Sequence, residues 1–163
     1  MTGQKSLQIS SVRFQCCPWR NLLKNTAKMK EPLDSVTEFH RIYRVPMSDV
    51  PVATPSPELV ALRHRLMAEE NEEYLEAAHA GNLVEVADAL GDKLYILCGT
   101  IITHGLQHLI EDVFREIHQS NLSKLGPDGE PLYREDGKVM KGPNYFRPDI
   151  ASVLEGRSPQ RSA

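Results

Sequence analysis

Two short acidic blocks hold the residues whose spacing suggests chemistry. Leu59, Leu62 and Leu66 are spaced three and four, the rhythm of one helix face. The same rule continues the stripe into Glu70, Glu73 and Ala77, so two acids stand where the pattern asks for leucine. Glu69 lies 100° from Glu70 around such a helix, while Glu72 and Glu76 are better placed to meet water. A second block repeats the anomaly. Glu85, Asp88 and Asp92 are spaced three and four and run into Tyr95, Ile96 and Gly99, with Asp88 and Asp92 about 40° apart around the axis. Two neighbouring helices would each turn acids toward the inside of a bundle.

Such an arrangement costs free energy. Like charges at these spacings destabilise a helix, and an ionised carboxylate buried without a partner costs several kcal/mol. Raised pKa values neutralise one or two such groups, but hardly four or five together. A hard divalent cation, Mg²⁺ or Mn²⁺, resolves the conflict because it prefers carboxylate oxygens and leaves positions for water and phosphate. The plainer alternative for the run at 69–73 is a solvated charged face. Two runs, both in phase with apolar stripes, favour the metal. A di-iron bundle wants Glu-x-x-His on each of two helices. Only Glu76-Ala77-Ala78-His79 fits, beside a glycine stop, so phosphate-handling magnesium is preferred over redox iron.

Beyond the acids comes a cationic set, Asn121, Lys124, Lys138, Lys141 and Arg147. Each lysine alone reads as a solvated surface charge. Next to a metal cluster, such side chains would share the charge of a polyphosphate.

The elements that must position these groups read as helices in series. Asp34 or Ser35 can cap a first helix with an apolar face of Val36, Phe39, Ile42 and Tyr43, ended by Pro46. Pro46, Pro51, Pro55 and Pro57 make an extended connection. Ser56-Pro57-Glu58 starts a second helix that runs to about His79, with Gly81 as its stop. Asn82 caps a third, which continues through Ile102 to Gly105. Leu109, Ile110, Val113, Phe114, Ile117 and Leu122 stripe a fourth. Asp136-Gly137, between Leu132-Tyr133 and Val139-Met140, predicts a small hairpin. Asp149 to Glu155 is a last short helix. The expected fold is all-α, a four-helix-bundle-like core with a C-terminal hairpin segment and a terminal helix.

Composition sets the outer limits. With 163 residues, 40% hydrophobic and 25% charged, the chain is one ordinary globular domain with tails. Residues 1–33 read as a basic leader, 34–155 as the domain and 156–163 as a tail. Residues 1–30 carry six basic side chains and no acid, which leaves 13 basic against 22 acidic residues in the remainder. So acidic a body is a poor match for nucleic acid. The longest apolar stretch, Leu94 to Ile102, is about half of a membrane span. Three cysteines, Cys16, Cys17 and Cys98, make neither a disulfide scaffold nor a zinc module and fit a reducing compartment. A cytoplasmic location follows, with the leader open between an organelle-targeting segment and a disordered tail.

At these residues the chain resembles the all-α nucleoside triphosphate pyrophosphohydrolases, the superfamily of MazG, phosphoribosyl-ATP pyrophosphohydrolase and the dimeric dUTPases. The likeness rests on Leu66 to Glu73, on Glu85 to Tyr95, on Phe39-His40 and on Glu116 to Lys124. It extends to Asp136 to Pro143 and Arg147-Pro148-Asp149, in the manner of the MazG-like branch acting on dUTP. It covers about residues 35–155. One position departs from the pattern: where the family often has Glu three residues before the last Asp, this chain has Ala89, and Asp88 or Glu85 would supply the oxygen. The resemblance implies a MazG-type core and hydrolysis of a nucleoside triphosphate, dUTP or a related dNTP, to monophosphate and pyrophosphate. Glu70, Glu73, Asp88 and Asp92 would hold Mg²⁺ or Mn²⁺, and Glu69 would act as the base on water. Asn121, Lys124, Lys138, Lys141 and Arg147 would hold phosphates. His40 and Phe39 are candidates for the base pocket, with His40 alternatively a satisfied surface or core histidine. A homodimer or homotetramer is implied, for which Val84, Ala87, Leu94, Leu97 and Ile101 offer spare apolar surface. Phosphoribosyl-ATP or broad house-cleaning hydrolysis is the alternative activity, and a non-catalytic helical interaction module the alternative class.

Overall fold

The computed structural model describes residues 29–159. The leader up to residue 28, with Cys16 and Cys17, lies outside them. Five helices follow one another: α1 (Lys30–Tyr43), α2 (Pro57–Ala80), α3 (Leu83–Thr103), α4 (Ile110–Leu122) and α5 (Ile150–Leu154). The described part is all-α, and no helix in it is long and apolar enough to cross a membrane.

Local sequence explains the α2–α3 hairpin well. The Ser56 hydroxyl accepts from the Leu59 amide at 3.1 Å, Pro57 occupies the first helical position, and Gly81 ends α2 at φ 66. Asn82 caps α3 by accepting from the Val84 and Glu85 amides. So short a link folds the two helices back as antiparallel neighbours, the most extensive pairing in the chain. The proline-rich connection is tied to the far end of α3 by Ser48 N–H to Ile102 O at 3.2 Å and Val52 N–H to His104 O at 3.0 Å. Gly105, at φ 68, allows this approach, since a Cβ there would strike the Val50 carbonyl.

The core is built from Leu33 and Val36 of α1 and Cys98, Ile101 and Ile102 of α3, flanked by Met29, Leu106 and Ile110. Three expectations change here. α1 starts at Lys30 rather than after Asp34 or Ser35, because Asp34 pairs with Lys30 across one turn instead of capping. Its buried face is Leu33, Val36 and His40, while Ile42 and Tyr43 are exposed. On α2 the buried residues are Arg63 and Ala77, and Leu62 is exposed. The row that actually faces α3 is Leu59, Arg63, Leu66, Glu70, Glu73, Ala77, an unbroken four-three alternation in which an arginine takes a leucine's place.

α4 differs most. Its apolar residues Phe114, Ile117 and Leu122 are exposed, and its buried ones are Glu116 and Ser120. It packs mainly on α5. The expected hairpin is present in minimal form: Tyr133 and Val139 make one antiparallel bridge, and Met140 N–H reaches Leu132 O at 2.7 Å around Gly137 at φ 81.

Candidate active site

Glu70 is the centre of the acidic group. Its Oε2 is enclosed and meets no hydrogen-bond partner. Burial raises its pKa first, and the charges of Glu73, Asp92, Glu69 and Asp88 raise it further, in that order. The two acidic blocks therefore converge across the α2–α3 seam. They do so at its edge rather than in an interior: Glu69, Glu73, Asp88 and Asp92 are exposed and Glu70 is half-buried. The reason is packing, since α3 is the one helix that packs extensively on α2 among the described residues, so no other described helix covers the seam. Among those residues no three Asp, Glu, His or Cys side chains are already drawn together as a coordination cage.

Ala89 is buried against α2, which leaves room for no long acid at that position without repacking. Of its two substitutes, Asp88 is among the charges that act on Glu70. Glu85 lines a cleft of about 320 Å³ at the closed end of the hairpin, together with Glu73, Glu76 and Asp88.

Arg63 and Lys93 also stand at the seam, where no sequence motif points to them. Arg63, 6% exposed, donates from Nε to Thr100 Oγ1 at 3.2 Å and from Nη2 to the Ile96 carbonyl at 2.7 Å. Lys93 hydrogen-bonds Asn71 across the seam and stands 6.0 Å over the Tyr74 ring. Phe39 meets Tyr95 edge-on at 5.6 Å and Tyr43 at 4.4 Å, an aromatic group between α1 and α3. Arg63 was legible in principle, because only it completes the four-three alternation. His40 is enclosed rather than open to a cleft, and its Nδ1 has no hydrogen-bond partner. Burial and then the Arg63 charge lower its pKa, against a smaller opposing effect of the Pro46 backbone. It is a core histidine, enclosed between α1 and α3. Phe39 beside it is exposed.

The cationic residues collect at the other end of the chain. Segment 141–149 is fastened to the end of α4 by bonds that include Gly142 N–H to Lys124 O at 3.0 Å, Phe146 N–H to Ser123 Oγ at 3.1 Å, Ser120 Oγ–H to Phe146 O at 2.8 Å and Asp149 N–H to Glu116 Oε1 at 3.1 Å. This fastening brings Lys141 to 4.2 Å from the centre of the Tyr145 ring. At the Tyr145 hydroxyl, burial works upward. Hydrogen bonds from Lys141 and Ser120 and the charges of Lys141 and Lys124 outweigh it and lower the pKa. Lys124 and Lys141 are thus brought together, with Asn121 a turn before Lys124 on the exposed side of α4. Lys138 stays in the hairpin turn, where its amide donates to Asp136, and Arg147 is exposed beyond Phe146. The acids belong to α2 and α3 and the lysines to α4 and its C-terminal strap, and every charge that acts on Glu70 is negative.

The profile of the phosphoribosyl-ATP pyrophosphohydrolase family matches residues 36–121, from α1 to the end of α4 with both acidic blocks. The chain belongs to this family. An uncharacterised protein of Acanthamoeba polyphaga mimivirus is 37% identical over 122 residues, which are 73% of this chain and 45% of that protein. The chain therefore spans less than half the length of that relative. The crystal structure of a candidate NTP pyrophosphohydrolase from Exiguobacterium sp. 255-15 is similar at 26% identity and a TM-score of 0.41, over 77% of this chain and 92% of that one.

Proposed function

We propose that the protein is a metal-dependent nucleoside triphosphate pyrophosphohydrolase that splits its substrate between the α and β phosphorus atoms into a monophosphate and pyrophosphate. The observation that carries this reading is Glu70, whose enclosed, unpartnered Oε2 faces the field of four further carboxylates inside the segment the family profile matches. An all-oxygen donor set with one orphaned buried atom suits a hard divalent cation. Glu70, Glu73, Asp88 and Asp92 would hold Mg²⁺ or Mn²⁺. The ion would supply charge for the phosphate oxygens and acidity for a water. Glu69, adjacent in sequence to Glu70 but turned away from its row, would serve as the base that takes up a proton from the attacking water. Lys124 and Lys141 bind phosphate oxygens, with Asn121, Lys138 and Arg147 as further donors. Phe39 and Tyr95 offer aromatic edges to a base, while enclosed His40 supports the α1 side from behind.

The exposed apolar residues Leu94, Leu97, Phe114 and Ile117 support assembly into a homodimer or homotetramer, in which the uncovered seam gains a neighbour. For the substrate, dUTP or a related dNTP is favoured by the Asn121-to-Lys124 and Asp136-to-Lys141 segments. Phosphoribosyl-ATP is the second reading, favoured by the family whose profile matches. A panel of dUTP, the other dNTPs, NTPs and phosphoribosyl-ATP, assayed for pyrophosphate with Mg²⁺, Mn²⁺ or EDTA, tests class and substrate together. Release with metal from at least one nucleotide is expected. Inertness toward all of them would leave a helical interaction module.

A further inference from the structure

We infer that Arg63 is a positioning residue that fixes the axial register of α2 against α3 and so places the carboxylates of the two helices opposite one another. This inference rests on the proposed metal-dependent reaction.

Arg63 lies seven residues before Glu70, two turns and about 10 Å along α2 and only about 20° away around its axis. The two side chains therefore project toward the same row of α3. That row carries Asp88, Asp92, Ile96 and Thr100, each four residues from the last. Arg63 grips its last two members, through the Ile96 carbonyl and the Thr100 hydroxyl. Thr100 itself donates back to Ile96 O at 2.9 Å, so the guanidinium closes a small ring of bonds on one turn of α3. Two turns toward the helix N-terminus, the same row meets Glu70.

Three features show that this grip serves more than packing. The guanidinium is almost fully buried and, among the described residues, bonds to a hydroxyl and a carbonyl rather than a carboxylate, and burial lowers its pKa. A buried charge of this kind is a poor device for stability, since an apolar side chain of similar volume is often neutral or better. Secondly, the space it fills exists only because position 99 is glycine: a Cβ there would land on Arg63 Nη2 and stand 2.9 Å from His40 Nε2. Thirdly, the surrounding α2 row is only half-buried at Leu59 and Leu66, so leucine packing alone fixes the register weakly. The fork of Arg63 has one set of acceptors, and a shift of α2 by one residue would break both bonds.

The test compares wild type with Arg63→Met and with Gly99→Ala, which displaces the guanidinium without removing it. Folding is followed by circular dichroism and thermal melting, Mn²⁺ binding by calorimetry without nucleotide, and turnover by pyrophosphate release. Arg63→Met is expected to melt at or above the wild-type temperature, yet to bind Mn²⁺ about 10–100-fold more weakly, as loss of outer support for metal ligands does. Gly99→Ala should weaken Mn²⁺ binding in the same direction. Wild-type Mn²⁺ affinity in folded Arg63→Met overturns the inference. So does a variant whose only defect is a lower melting temperature. A wild-type protein that neither binds Mn²⁺ nor hydrolyses any nucleotide overturns the proposed reaction instead.

Discussion

Half-buried Glu70 and enclosed His40 are both titratable, and they respond to the fold in opposite chemical senses. Glu70 is held among like charges, so Glu70→Gln relieves repulsion while removing a proposed metal ligand. Pyrophosphate release should fall at least about 100-fold with the circular dichroism spectrum unchanged, and Glu73→Gln should behave alike. An unaltered rate in either folded variant would remove these residues from the site. His40 has a lowered pKa through burial and the Arg63 charge. The unfolded chain therefore takes up a proton near the ordinary value of 6.5 while the folded one still refuses it. Stability is complete above that value and is lost as pH falls from it toward the folded pKa. Denaturant melts of the wild type should show this decline, and His40→Asn should flatten it.

At the level of elements, the caps and the glycine stop of the α2–α3 hairpin were readable residue by residue, whereas the cap of α1 was not. Ser56, Pro57, Gly81 and Asn82 mark the α2–α3 hairpin in sequence because their effect is local. Which face an element buries was less readable. Phe114, Ile117 and Leu122 make a clear stripe on α4, yet Glu116 and Ser120 are the buried residues, since the segment 141–149 and the short α5 that follows it hydrogen-bond and pack on that polar face. On α2 the true row was hidden by an arginine at a leucine position. The strap itself depends on Gly142, where a Cβ would collide with the Leu125 carbonyl, a backbone atom that cannot swing aside. Gly142→Ala should release the strap, raise the nucleotide KM and open 141–149 to limited proteolysis, with Mn²⁺ binding at α2–α3 unchanged. An unchanged KM would take Lys141 out of phosphate binding.

For the whole molecule, the acidic blocks were legible as a pair because two independent stripes broke in the same way. Their exposure was not, because it depends on what else the chain folds over them. Phe114, 69% exposed, and Leu94, 43% exposed, belong to surfaces that no described helix covers extensively. Phe114→Glu and Leu94→Glu should each lower the mass measured by light scattering, and a wild type that runs as a monomer would refute the assembly. One further residue gives a way to watch the molecule open. The Cys98 sulfur is completely enclosed beside Gly99, and burial pushes its thiol pKa up, so it is both unreachable and poorly nucleophilic. In a protein with Cys16 and Cys17 replaced by serine, this thiol becomes a native stopwatch. Its labelling by a disulfide reagent can proceed only during breathing of α1 away from α3, so the rate clocks how often that seam parts.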